Sequence, residues 1–203
     1  MPDAASVGFL PGTGRSRSEV SQRRALPIIH PDQTTATASE PPPDEAALRT
    51  AFGAFATGVT VVTSRAADGR ASGITVNSLA SVSLTPPLLL WCVGHEARSA
   101  ALYRPDVPFV VNVLAADQRR LAELFALADG EDYERTVDFS YNSDGVPVLH
   151  GCAAEFHCRV TACHPGGDHT IVVGRVHAVV RRDRAPLIFH AGRFRALASS
   201  DGT

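Results

Sequence analysis

Apolar positions along the chain follow two periods, and the elements they predict fall in a definite order. From residue 44, Leu48, Ala51, Phe52 and Phe55 recur at i, i+3, i+4 and i+7, one face of a short helix. Asp44 and Glu45 suit its N-terminus, and Gly58 follows its end. Helical spacing returns at Leu121, Leu124, Phe125 and Ala128, with Asp117 as a cap and Gly130 as a stop. A shorter helix is expected over about 97–103. Everywhere else the apolar residues come in short runs: "VTVVTS" (59–64), a return strand from Ala71, "LLLWCV" (88–93), "PFVVNVL" (108–114), "AEFHCRVTACH" (154–164), "DHTIVVGRVHAVV" (168–180) and "PLIFH" (186–190). Asp68-Gly69, Pro86-Pro87 and Pro165-Gly166-Gly167 punctuate them as turns. The continuous run at 88–93 reads as a strand covered on both sides. Residues 131–146 show little periodicity and read as a loop. Many strands, few short helices and tight turns predict a β-barrel with helical decoration.

One stretch breaks the ordinary pattern. From residue 74, Ile74, Val76, Ala80, Val82 and Leu84 alternate onto one face, and Thr75, Asn77, Ser81 and Ser83 onto the other, with Ser78 between. The row could be the wet face of an edge strand. Exposed faces usually carry long charged residues, however, and these are uniformly short. Short amides and hydroxyls would also let a flat molecule lie close to the backbone.

Composition narrows the chemistry. The chain has 203 residues, 44% of them hydrophobic and 20% charged, as in a soluble globular domain. A formal net charge of −2 gives no footprint for nucleic acid or an anionic membrane. No apolar run matches a membrane span and no signal sequence opens the chain, so a cytoplasmic protein is expected. All 19 basic residues are Arg. A P-loop lysine, a Schiff-base lysine and a Ser–Lys dyad are therefore excluded, and any cation facing a phosphate must be Arg. The four cysteines, Cys92, Cys152, Cys158 and Cys163, form no C-x-x-C pair. A metal site from His157, Cys158, Cys163 and His164 is disfavoured, because strand alternation sends Cys158 away from both His157 and Cys163. Residues 1–43 are rich in Ser, Thr, Pro, Gly and Arg and read as a flexible extension, with a domain over 44–198 and a short tail at 199–203.

The ordered set "FGAFATGVTVVTS…DGRASGITVNSLASVSLTPPLLLWCV", "FVVNVLAADQRRLAELFA", "GVPVLHGCAAEFHCRV", "GGDHTIVVGRVHAV" and "PLIFHAGRFRAL" resembles the flavin reductase-like domain family over roughly residues 48–197. These are small reductases that supply reduced flavin to two-component monooxygenases. The resemblance implies a mainly β, split β-barrel fold, a homodimer, and NADH or NADPH as co-substrate with FMN or FAD. It implies that Thr75, Val76, Asn77 and Ser78 contact the flavin's polar groups, that Ser81, Val82 and Ser83 meet the ring edge, and that Cys92 lines the pocket. Arg98 and Ser99 would lie at the phosphate end, and Asn112 close to the cofactor. Gly167, Asp168 and His169 would lie near the nicotinamide, with His169 catalytic and Arg193 at the mouth of that site. Ala97 and Phe194 depart from the Ser and Tyr that family members often carry there. The partner would be a separate monooxygenase, reached by diffusing reduced flavin.

That chemistry needs no protein nucleophile, because the cofactors carry it. The protein must hold two planar rings with reacting atoms about 3–3.5 Å apart and exclude water. Blander readings stand beside several assignments. His169 could be a turn histidine bonded to Asp168, Asn112 could satisfy barrel backbone, and Cys92 could be a small buried residue. Arg181, Arg182 and Arg184 could be a solvated strand end or could greet a dinucleotide phosphate. Rival functions are an oxidoreductase that keeps FMN bound and reduces an organic substrate such as a quinone, and a non-catalytic flavin- or haem-binding barrel.

Overall fold

A computed structural model describes residues 43–66, 68–127 and 133–197, all within the unit Pro43–Thr203. The expectations for residues 1–42, for the stop at Gly130 and for the tail from 199 lie outside the described residues. Helix α1 (Glu45–Gly53) is followed by β1 (Thr57–Gly58), β2 (Thr60–Arg65), β3 (Ala71–Val76), β4 (Ala80–Leu84) and β5 (Pro87–Gly94). A 3₁₀ turn (Ala100–Leu102) leads to β6 (Pro108–Val113), α2 (Arg119–Leu127), α3 (Tyr133–Thr136), β7 (Phe139–Tyr141) and β8 (Pro147–Leu149). The long hairpin β9 (Ala154–Gly166) and β10 (His169–Arg181) precedes the short β11 (Ile188–His190) and β12 (Arg193–Arg195).

Seven strands form one antiparallel sheet in the order β3-β2-β6-β9-β10-β5-β4. Its two edge strands are consecutive in sequence, joined only by residues 77–79. In a flat sheet those edges would stand about 29 Å apart. Four Cα steps reach at most about 15 Å. The sheet must therefore curl until β3 approaches β4, which makes it a barrel.

Inside lie Val62, Val76, Leu89, Trp91, Val93, Phe109, Val111, Cys158, Val160 and Val172, with Tyr103 edge-on to Trp91 at 4.5 Å between ring centres. A second cluster sits on the outer face of β2 and β6. Val59, Val61, Leu114 and Leu149 meet Ala122 and Phe125 of α2 there, together with Leu187. Gly73 lets α2 approach, since a Cβ at that residue would lie 2.6 Å from the Phe125 ring. A three-stranded sheet, β1-β11-β12, flanks this side.

Five expectations change. Helix α1 forms and is capped by Asp44, which accepts the Ala47 N–H at 2.8 Å, but it ends at Gly53 and buries no residue. Leu48, Phe52 and Phe55 are exposed, the two phenylalanines by about three quarters (74% and 77%). The helix expected at 97–103 is only a 3₁₀ turn, closed by i to i+3 bonds such as Leu102 N–H to Ser99 carbonyl. Residues 131–146 hold α3 and β7, and with β8 the latter forms a hairpin turning at Asp144-Gly145, with Gly145 at φ 71°. β5 is covered by this chain on one side only: Leu89, Trp91 and Val93 are buried, while Leu88, Leu90, Cys92 and Gly94 are half-buried. Finally, β9 bulges at Thr161, because Val173 pairs with Ala162 and Gly174 with Val160. The extra residue flips the alternation, so Cys158 and Cys163 both pack against the barrel core, against the strand-face argument made from sequence. No group of three or more His, Cys, Asp or Glu among the described residues could hold a metal ion.

Candidate active site

The half-buried face of β5 and its neighbour β10 is the place to build a site. Antiparallel pairing sets Val173 opposite Leu90, Ile171 opposite Cys92 and His169 opposite Gly94. Together these make a strip of partly covered apolar side chains ending in an imidazole. Because residue 94 has no side chain, the His169 ring lies over its backbone, with Nε2 3.6 Å from where a Cβ would stand. Asp168 Oδ1 lies 2.7 Å from His169 Nδ1. That hydrogen bond, and then the imidazole's charge, hold the Asp168 carboxyl below the usual carboxylate range. The Asp168 carbonyl accepts the His95 N–H at 3.0 Å, tying the turn before β10 to the loop after β5. Gly167 makes that turn at φ 72°, where an added side chain would be strained.

The Thr75–Ser78 row reaches this strip at one end only. Thr75 faces α2 and donates to the Ala122 carbonyl at 2.8 Å. The Val76 side chain is in the core, and its carbonyl accepts from Thr60 Oγ1 at 3.1 Å. Ser78 Oγ accepts the Cys92 N–H at 2.9 Å. Asn77 is exposed, flanked by these held residues. In this register the Thr75 and Val76 side chains are engaged within the fold, which leaves Asn77 as the exposed side chain of the four.

β4 keeps the predicted wet character and loses the predicted phase. The register slips between Ser81 and Ser83, and Val82 (48%) and Leu84 (91%) are exposed rather than packed in the core with Val76. Ser81 is exposed, and Ser83 is half-buried with its hydroxyl accepting the Thr85 N–H. Cys92 is half-buried on the floor.

Two further residues serve the fold. Asn112 is fully buried on the barrel's outer side, where its Nδ2 donates to the Val61 carbonyl (3.0 Å) and Thr63 Oγ1 (3.1 Å). Its Oδ1 accepts the Leu149 N–H at 3.0 Å. Its amide is thus engaged as a pin between β2, β6 and β8, the barrel-backbone role that the sequence also allowed it. Ser99 is also buried, and its side chain hydrogen-bonds Tyr103. Arg98 and Arg193 are exposed, Arg193 on the hairpin whose turn donates from Ala191 N–H to the Gly53 carbonyl of α1. Of the basic run, Arg182 is bonded to Glu155 (2.5 Å) and Arg184 to Asp117 and the Gly151 carbonyl. The dinucleotide-phosphate alternative thereby loses two of its three cations.

The structure therefore brings together Asn77, Ser78, Cys92, Asp168 and His169. It adds Leu90, Gly94, Ile171 and Val173, which single-residue reading did not find. Their signal was the alternation inside 88–93, which marks one face of β5 as only partly covered.

Comparison with known proteins agrees with the fold. An FMN reductase (NADH) of Agrobacterium fabrum is 44% identical over 147 residues, 72% of this chain and 83% of that one. The reductase subunit of a flavin-dependent monooxygenase of Rhodococcus jostii is 36% identical over 152 residues, 74% of this chain and 77% of that one. The solved structure of the Streptomyces globisporus NADH:FAD oxidoreductase, in complex with NAD and FAD fragments, superposes with a TM-score of 0.72 at 40% identity, covering 78% of this chain and 96% of that one. Residues 52–198 match the family described as Flavin reductase like domain, and with its curled seven-stranded sheet the chain belongs to that family.

Proposed function

We propose that this chain is an NADH-dependent flavin reductase that transfers hydride to FMN or FAD and releases the reduced flavin to a separate monooxygenase. The observation that carries the reading is the strip Leu90–Cys92–Gly94 with Ile171, closed by the Asp168–His169 pair, with the exposed Asn77 next in sequence to Ser78, which bonds Cys92. The relatives named above support NADH as donor and a monooxygenase as recipient.

The residues present fit a flavin. A partly covered apolar floor suits a flat ring, and one exposed amide suits its polar edge. When bound, the flavin supplies the hydride acceptor that no side chain of the protein provides. Asn77 would orient the ring, and Leu90, Cys92 and Ile171 would exclude water from one side of it. His169, its Nδ1 anchored by Asp168, would present Nε2 over Gly94 and hold the nicotinamide in place. Arg98 and Arg193 would meet phosphate.

A homodimer belongs to this reading. Val82 and Leu84 are exposed on the edge strand next to the floor, and Leu48 and Phe52 are exposed on α1, with Phe55 exposed just after it. A second subunit would cover apolar surface that this one leaves open. No helix among the described residues is long and apolar enough to cross a membrane.

Anaerobic stopped-flow mixing of the protein and flavin with NADH or NADPH tests the proposal. Rapid bleaching by NADH, with steady-state oxidation that saturates in added free flavin, is the expected result. Failure to bleach would leave a binding module. Stoichiometric, non-exchanging flavin that turns over only with another acceptor would point to direct reduction of an organic substrate.

A further inference from the structure

The barrel closes at a point where it has no strand. β4 pairs with β5 from Leu84 and Pro87 up to Ala80 and Leu90. Continuing that register by one more bonded pair would set residue 78 against Cys92. The backbone has left the ladder by then, crossing to β3. Cys92 nonetheless keeps both bonds on that edge: its N–H donates to Ser78 Oγ at 2.9 Å, and its carbonyl accepts from the same hydroxyl at 3.4 Å. One serine side chain stands in for a backbone pair and satisfies two polar groups that would otherwise lose their partners.

We propose that Ser78 is a positioning residue that acts through Asn77, rather than a ligand of the flavin. The segment before Asn77 is held by Thr75 on Ala122 and by Thr60 on the Val76 carbonyl. The residue after it is held by Ser78 on Cys92. Asn77 is the only exposed residue from Gly73 to Ser78. With the backbone held on both sides, less ordering of Asn77 is left to be done on binding. A hydrogen bond donated from Ser78 to flavin would take its proton from the Cys92 carbonyl and leave that group without this partner.

The functional half of this proposal rests on the flavin reductase reading, so its test has one arm independent of flavin. In the ligand-free protein, hydrogen exchange at the Cys92 amide should speed up about tenfold in Ser78→Ala and stay unchanged in Asn77→Ala. In flavin titrations, Ser78→Ala should weaken binding about tenfold, the loss falling on KM for flavin rather than on kcat. Ser78→Thr, which keeps the hydroxyl, should restore most of that affinity. On an Asn77→Ala background, adding Ser78→Ala should cost nothing more, because the residue it positions is gone. An additive loss in the double variant, or unchanged Cys92 exchange in Ser78→Ala, would overturn the proposal while the unaltered protein still bound and reduced flavin. If the unaltered protein bound no flavin, the functional reading itself would fall.

Discussion

His169 lies across the β5–β10 ladder from Gly94, and its ring borders the space into which a side chain at residue 94 would extend. A methyl there would meet Nε2 at 3.6 Å, an ordinary contact. A longer side chain would displace the imidazole. Gly94→Ala should therefore keep activity within about twofold, whereas Gly94→Leu should slow flavin reduction by about tenfold or more. Stopped-flow rates beside thermal melts check this, since neither variant should shift the melting temperature far.

Asp168 sets which nitrogen of His169 is presented, with Oδ1 2.7 Å from Nδ1. The bond and the imidazole's charge depress the carboxyl's pKa in the folded state. A depressed carboxyl contributes above its unfolded pKa, and the contribution is lost only as pH falls through the lower folded value. The tether should thus hold at neutral pH and fail only below roughly pH 4. Removing the charge with Asp168→Asn should reduce kcat/KM about tenfold across the neutral range, with flavin affinity unchanged. A pH–rate profile identical to that of the unaltered protein would show that the pair does not work together.

Asn77 and His169 should separate binding from chemistry. Asn77→Ala is expected to raise the Kd for flavin about tenfold, with little change in the single-turnover rate at saturation. His169→Ala is expected to do the reverse, lowering that rate with flavin affinity kept. Fluorescence titration and single-turnover mixing read the two quantities independently. Variants that both kept full affinity and full rate would remove the site from this face.

Asn112 should prove structural. Its amide serves Val61, Thr63 and Leu149 in a fully buried position. Asn112→Ala leaves the Leu149 N–H unpaired and frees the β8 end of the hairpin, at a cost of about 2–4 kcal/mol. Urea unfolding should show that loss, and flavin affinity in the folded variant should match the original.

The long strands were readable because each is rich in apolar, mostly β-branched residues between turn signals, as at 108–114 and 168–180. The hairpin β7–β8 escaped because its strands have three residues each, too few for a period, although Asp144-Gly145 carried a turn signal. The bulge at Thr161 left no mark in composition, and with it went the correct faces of Cys158 and Cys163. In the site, Asp168 and His169 stood out through the resemblance. The short polar row did not divide itself into roles. Whether a hydroxyl or amide meets a ligand or a neighbouring backbone group depends on register between strands, which Thr75, Ser78 and Asn112 show in three different ways.

The cysteines give a chemical map of the same face. Cys152 and Cys158 are buried, and desolvation pushes both thiols up to about 12, with the Glu155 charge adding to the effect at Cys152. Thiolate is the reactive form, so neither should alkylate in the folded protein at pH 8. Cys163 is half-buried, raised by burial, and its thiol donates to the Tyr103 carbonyl, which should slow it. Cys92 lies half-buried on the open floor, opposite Ile171. With iodoacetamide and mass spectrometry, Cys92 should label first and Cys163 later, while Cys152 and Cys158 should label only on unfolding. Saturating flavin should protect Cys92 and leave the rate at Cys163 unchanged. Labelling of Cys158 as fast as Cys92 would contradict the barrel packing, and a Cys92 rate indifferent to flavin would show that the ring binds somewhere other than the β5–β10 face.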